Sequence, residues 1–226
     1  MGRPIKLSDR KREWFLKRLP CRERRLGTRE ERQRFLIVCE GEKTEPNYFE
    51  SFKQDLPRQV VQLEIFGEGA NTLSLVARAR ALRDNRASGD YPFDEVWVVF
   101  DRDSFDPSSF DNAIHSADSC GMHCAWSNEA FELWYILHFE FRNTEMSRTE
   151  YQGKLGEFLG EIYRKNAPDM YQKLSQIGKQ SQAAAWAKTL HDQFLTDDTP
   201  PSRSNPCTTV YLLVEKLNQF KPSAED

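Results

Sequence analysis

The sequence predicts an α/β protein: a mostly parallel, four-stranded sheet flanked by helices, with an additional C-terminal helical region. Three observations carry that expectation. Apolar, β-branched-rich runs of strand length alternate with segments of helical period through residues 34–127. The connections between them are short, as in βαβ units. Beyond residue 127 the strand-like runs stop and only helical periods continue. The expected division is a basic N-terminal arm over 1–33, an α/β core over 34–127 and a helical extension packed on that core over 128–226.

Each element has its own signal. The first strand is expected over 34–39, the buried-type run Arg34-Phe35-Leu36-Ile37-Val38-Cys39. Thr44 then caps a helix with Pro46 in its first turn and Tyr48, Phe49 and Phe52 on its apolar face. A second strand over 59–66 ends in the turn Gly67-Glu68-Gly69, and a helix runs from Thr72 to about Arg86. Gly89-Asp90-Tyr91-Pro92 breaks it. A third strand over 94–100 enters an acidic loop at 101–107, a helix follows over 108–119, and the fourth strand runs from Met122 to Trp126. Ala130 to Phe139 is nearly all apolar and must be buried on most sides. Further helices are expected over 148–164, 169–176, 180–195 and 206–219, the last with Asn205 as cap and Pro206 at its first position.

Charge is unevenly spread. The net charge is −3. Residues 1–34 carry 13 Lys and Arg against 5 Asp and Glu, whereas the remainder carries 19 against 30. A polyanion-binding arm joined to an acidic, metal-binding body has this composition, and so does a solvated tail whose arginines bind nothing in particular. Arg22, Arg24 and Arg25 in the arm, with Lys43 and Arg102 in the core, are the candidate nucleic-acid contacts. At 226 residues and 26.4 kDa the chain can bury one ample core. No apolar run approaches the roughly 18 residues of a membrane span. The basic N-terminus lacks the apolar stretch of a secretory signal. The five cysteines are odd in number and scattered, so a reducing, cytoplasmic location is expected.

The chemistry is expected where two strands end in acids. The first runs into Glu40-Gly41-Glu42 and the third into Asp101-Arg102-Asp103. Parallel strands deliver such residues to the C-terminal edge of the sheet, where ligands of open α/β folds bind at the switch in strand order. Glu40, Asp101 and Asp103 converging there would cage a hard cation, Mg2+ or Mn2+, that prefers oxygen ligands. Two ions held by several acids stabilise the attacking and leaving oxygens of an in-line phosphate displacement. The alternative reading is that each acid merely caps the following helix or solvates a loop. Glu132, flanked by Phe131, Leu133 and Trp134, needs a cation or a donor, and a structural hydrogen bond or ion pair satisfies it equally. Arg102 points off the opposite face if its strand continues, toward a phosphate or a surface ion pair. His138 in the apolar run is either an acid and phosphate donor or a satisfied core histidine. Cys120-Gly121-Met122-His123-Cys124 is spaced for ordinary packing rather than zinc. Gly67 to Thr72 lacks the lysine of a phosphate loop and reads as a strand-to-helix turn.

Four segments also carry a resemblance. Phe35 to Phe49, Val98 to Asp103, Ser127 to Phe139, and Asn205-Pro206 with the helix after it resemble the motifs of the RloB-like family over residues 30–218. That family is similar to the TOPRIM-like (Rossmann-like) fold of topoisomerases, primases and OLD-type nucleases. The resemblance implies that Glu40 is the strand-end acid, a metal ligand or general base, and that Asp101 and Asp103 are metal ligands. It also implies a further acid just after the first, for which Glu45 stands one residue late, a later Glu, for which Glu132 is the candidate, and a lysine. Lys43 is near in sequence, and Lys179 and Lys188 are distant.

The activity expected is Mg2+-dependent cleavage of nucleic-acid phosphodiester bonds by a metal-dependent endonuclease. The resemblance places it in antiphage defence, of the abortive-infection or restriction-associated kind, with DNA or RNA and other defence-system proteins as partners. Two other classes stay open. One is a phosphohydrolase acting on nucleotides, with Asp101 as nucleophile. The other is a non-catalytic nucleic-acid-binding, adaptor or sensor subunit.

Overall fold

The computed structural model describes residues 32–222, apart from 60, 69–71, 88, 90, 104 and 105. Arg22, Arg24, Arg25 and nearly all of the expected arm lie outside the described residues. The described residues form one compact unit.

Five strands build one sheet: β1 (Gln33–Cys39), β2 (Val61–Gly67), β3 (Glu95–Asp101), β4 (His123–Asn128) and β5 (Cys207–Thr208). Their order is β2-β1-β3-β4-β5. β1 pairs in parallel with β2 and β3, β3 pairs in parallel with β4, and β4 pairs antiparallel with β5. Eight α-helices accompany them among the described residues: α1 (Thr44–Phe52), α2 (Thr72–Ala87), α3 (Pro107–Ser119), α4 (Glu132–Ile136), α5 (Arg148–Leu159), α6 (Met170–Ile177), α7 (Gln180–Thr196) and α8 (Val210–Asn218).

β1 is the spine because its residues are apolar on both faces. Phe35, Ile37 and Cys39 join the core under α1, α4 and the C-terminal helices, while Leu36 and Val38 join the core under α2 and α3. All five are fully buried. The chain leaves β1 toward β2 on one side and reaches β3 on the other. The right-handed crossover rule therefore puts α1 on one face and α2 and α3 on the opposite face. The order of strands reverses between β1 and β3, so a crevice opens beyond Cys39 and Asp101.

The residues after 127 pack into the same core as the sheet, and they also contribute to it. β5 falls where the chain from residue 206 reads as helix, and it makes the sheet five-stranded rather than four. Cys207 is buried, Ser127 Oγ and Thr208 Oγ1 lie 2.9 Å apart, and Thr209 N donates to Trp126 O at 2.8 Å. Without that pairing the outer edge of β4 would bury unsatisfied backbone groups. The helix consequently starts at Val210, after Thr209, rather than at Pro206. Two other lengths differ. The helix from Arg148 stops at Leu159 because Gly160 takes a left-handed C-cap, with φ 66°. The apolar run at 130–139 holds only the five α-helical residues Glu132–Ile136. Tighter turns on both sides bond Trp134 N to Phe131 O and Phe139 N to Ile136 O.

Candidate active site

The two strand ends are tied to each other directly. Glu40 N donates to Val99 O at 2.8 Å, and Asp101 N donates back to Glu40 Oε2 at 3.1 Å. Gly41 then turns the chain so tightly that a side chain there would collide with the Glu45 carboxylate. Glu45 sits in the first turn of α1, where the helix dipole favours an anion, and is folded back over the turn that carries Glu40. It is buried, and its Oε2 has no hydrogen-bond partner. A Cβ at Gly67, at the end of β2, would stand 2.7 Å from Gly41 O, so the neighbouring strand end must also be bare.

Asp101 closes β3 and is buried, with Oδ1 unpartnered. Glu132 is the first residue of α4, 2% exposed, and its Oε1 accepts from the Tyr163 hydroxyl at 3.1 Å. A buried bond from Trp134 Nε1 to Tyr48 OH, 2.9 Å, fixes α4 against α1. Tyr48 lies three residues after Glu45 and Trp134 two after Glu132, so that bond sets the two carboxylates relative to one another.

These acids act on one another through a medium poor in water. Burial pushes the Glu40 carboxyl up to about 7, and the charges of Glu45 and Asp103 add to the rise. Burial and then Glu132 raise Glu45. Burial, Glu45 and Glu132 hold Asp101 well above the usual carboxylate range. Two cations oppose this. Arg148 Nη2 stands 3.6 Å from Asp101 Oδ2 and 3.1 Å from Asp103 Oδ2, and Lys165 favours the Glu45 anion. Lys165 belongs to a loop strapped onto α1. Thr44 Oγ1 donates to Lys165 O (3.1 Å), Asn47 Nδ2 to Asn166 O (3.2 Å) and Ser51 Oγ to Pro168 O (2.9 Å).

The expected residues thus separate into two groups. Glu40 and Asp101 meet at the crevice, and Glu45 and Glu132 join them, the former despite its one-residue offset. Asp103 stands at the rim of this group: its backbone turns into the left-handed region at φ 39°, its carboxylate shares Arg148 Nη2 with Asp101, and its charge adds to the rise at Glu40. It lines a polar cleft of about 370 Å3 together with Arg102, Asn128, Glu129, Arg203 and Asn205. Arg102 Nη1 donates to Asp103 O at 2.6 Å, which fixes this rim. Lys43 is exposed at the start of α1. Lys179 immediately precedes α7 with its N–H on His138 O (3.0 Å), and Lys188 pairs with Asp192 at 3.4 Å on an exposed helix face. His138 is a core histidine: buried, its Nδ1 2.9 Å from Trp134 O, and pushed down to about 4 by burial.

Arg148, Tyr163 and Lys165 are the site residues that sequence reading passed over. Ser147 and Glu150 form a capping box that marks where α5 starts, but no local pattern says that its first side chain reaches another strand's acids. Tyr163 and Lys165 lie in an irregular loop without periodicity.

Among the described residues, no group of three or more His, Cys, Asp and Glu side chains already stands in metal-holding geometry. The donor set nonetheless suits an oxygen-preferring cation. Two buried carboxylate oxygens, Glu45 Oε2 and Asp101 Oδ1, lack partners, and the other nearby acids are carboxylates too. In a finished hydrogen-bond network such atoms would be satisfied. Because Gly41 leaves Glu45 room, its placement can be tested. Gly41→Ala is expected to displace the Glu45 side chain while the melting temperature changes by less than about 4 °C, since the clash falls on a flexible side-chain end. Mn2+ binding followed by electron paramagnetic resonance should weaken about 10–100-fold. Unchanged binding would remove Glu45 from the site.

Searches among curated proteins and among solved structures returned no match. No helix among the described residues is long and apolar enough to cross a membrane. The sequence profile of the family described as RloB-like protein matches residues 35–217, more than half of the chain, from within β1 to within α8. The chain belongs to the RloB-like protein family.

Proposed function

We propose that this protein is a Mg2+- or Mn2+-dependent enzyme of nuclease type that cleaves phosphodiester bonds of nucleic acid. The observation that carries the reading is the convergence of Glu40, Glu45, Asp101 and Glu132 at the crevice between β1 and β3, with two of their buried oxygens unpartnered. Glu45, Asp101 and Glu132 would hold the cation, with Glu40 beside them. The bound cation would polarise a phosphate oxygen and lower the pKa of a water.

The chain's own residues supply the rest. Glu40 is only partly buried, and its Oε2 already accepts from Asp101 N. Oε1 is the atom left to take a proton from an attacking water, and a carboxyl raised to about 7 suits a base working near neutral pH. Arg102, Arg148, Lys165 and Arg203 surround the acids with positive charge for phosphate contact. The arginine-rich residues 1–34 would add affinity that depends on salt and not on sequence. Work in antiphage defence rests on the family alone.

The test is direct. Purified full-length protein with Mg2+ or Mn2+ is incubated with single- and double-stranded DNA and RNA, with EDTA as control. Metal-dependent shortening of at least one substrate is expected. No cleavage of any of them, also when the proteins encoded beside it are added, would overturn the reading.

A further inference from the structure

Arg148 holds its acids in an unusual way. It is the first residue of α5, and its backbone is fixed by Ser147 and Glu150: Ser147 N donates to Glu150 Oε2 at 2.7 Å and Glu150 N to Ser147 Oγ at 3.4 Å. From that fixed base the guanidinium reaches two carboxylates of another segment with one nitrogen. Nη2 is 3.1 Å from Asp103 Oδ2 and 3.6 Å from Asp101 Oδ2, while Nε is buried with no hydrogen-bond partner. Strong arginine–carboxylate pairs frequently use the two parallel bonds of a fork. Here one nitrogen is shared and another is unused, which is the geometry of a placeholder. Asp101 is divided by it: Oδ2 faces Arg148 and Oδ1, on the same carboxylate, has no partner.

We propose that Arg148 is an exchangeable counter-ion of this site. It neutralises Asp101 and Asp103 when no divalent cation is bound, yields when one binds, and then offers its released guanidinium to a substrate phosphate. The inference rests on the metal-dependent reading above and explains why ready metal geometry is absent among the described residues. Arg148 holds Asp103 at the rim through the same nitrogen that faces Asp101. A cation and a guanidinium compete for the negative charge of the same carboxylates, so removing one strengthens binding of the other. Once displaced, Arg148 stands beside the polar cleft that Asp103 and Arg102 line, where a planar donor suits a phosphate.

Mn2+ titration of full-length protein, followed by the resonance of free Mn2+, tests this. Arg148→Ala should bind Mn2+ about tenfold more tightly than wild type, and Arg148→Lys should fall between them. Arg86→Ala, which breaks a surface pair with Glu64 (2.8 Å), should match wild type. The same Arg148→Ala protein, with Ca2+ in place of Mn2+, should bind a fluorescein-labelled ten-nucleotide single strand about tenfold more weakly. Should the alanine variant fail to fold, Arg148→Gln gives the same comparison. Neutral variants that bind Mn2+ no more tightly than wild type overturn the counter-ion role. Silence from wild type and neutral variants alike overturns the metal-dependent reading with it. Tighter Mn2+ binding by the variants, with no cleavage by wild type, keeps the counter-ion and removes the nuclease.

Discussion

Asp101→Asn is expected to abolish cleavage and to make the metal-free protein more stable. The first effect follows from position. Asp101 ends the central β3 at the crevice, bonds through its N–H to Glu40, and keeps Oδ1 free in a buried site. Asparagine preserves the backbone bond and the shape but gives up the charge. Loss of a preorganised charged group at a reacting phosphate costs on the order of 10³ in turnover. The second effect follows from the neighbours. Glu45 and Glu132 raise the cost of ionising Asp101, and Arg148 and the Phe131 backbone N–H offset it only in part. A neutral amide removes that repulsion, and the melting temperature in EDTA at about pH 8 should rise by about 2–4 °C for each kcal/mol regained. Activity and stability moving in opposite directions marks a group retained for function. Calorimetry and a cleavage assay on the same preparation decide it. A variant that melts markedly lower than wild type would show that the carboxylate is structural, held by contacts that the amide cannot replace.

How far the site can be read from the chain depends on the range of the contacts that make it. Glu40 and Asp101 are legible because each follows directly on a run of buried strand residues, and a strand's end is a local property. β1 and β3 then need only be neighbours, which the alternation of strands and helices implies. Glu132 is legible for another reason: a carboxylate between Phe131, Leu133 and Trp134 is a local contradiction that must be resolved somewhere. Its resolution by Tyr163, 31 residues away, is not local and could not be foreseen. Arg148 and Lys165 are hidden for the same reason. A basic residue at a helix start or in a polar loop looks like solvent-facing charge until the fold shows which wall it stands on. Asp103 is the converse case. Its spacing from Asp101 suggests a shared cage, but the spacing assumes extended backbone, and the left-handed turn at Asp103 sends the carboxylate to the rim.

The C-terminal part teaches a related lesson. Asn205-Pro206 before Val210, Leu213, Val214 and Leu217 has every local sign of a helix start. What prevails is the open edge of β4, whose backbone needs partners that only a distant segment can supply. Two residues are enough, because Thr208 and Thr209 each add a side-chain oxygen to the edge: one lies against Ser127 Oγ, the other accepts from Trp126 N at 2.9 Å. The helical region is therefore sewn to the sheet one residue-pair from Asp101, since Ser127 is the register partner of both Asp101 and Thr208. Helices α5 and the loop after it bring Arg148, Tyr163 and Lys165 to acids that the strands and α1 provide. The acidic edge of the sheet and the helical half are built together, and neither makes the site alone.

Metal-free protein is expected to lose stability as pH rises above about 7, and Mg2+ is expected to cancel the loss. The sign follows from which state binds more protons. Unfolded carboxyls titrate near 4, whereas folded Glu40 titrates at about 7 and Glu45 and Asp101 are also raised. A raised folded value stabilises below the unfolded one, and that contribution disappears as pH climbs through the folded one. His138 and His191 work in the other direction, because burial lowers both, but the stability they add with rising pH is complete by about pH 7. From about pH 7 to about 7.5 the acids set the slope, below the range where the Cys39, Cys124 and Cys207 thiols, raised by burial, add a decline of the same sign. Each excess proton bound by the folded state amounts to about 1.4 kcal/mol per pH unit, or roughly 3–5 °C of melting temperature. Glu40 is partly exposed and contributes a screened share, so the buried acids carry most of the slope. Scanning calorimetry in EDTA across that range should show the decline, and Glu40→Gln should flatten it in part. Saturating Mg2+ replaces the protons and should hold the melting temperature level, while Na+ at equal ionic strength should not. A flat profile in EDTA, or an equal decline with Mg2+ present, would mean that these carboxylates do not share a site that takes a cation.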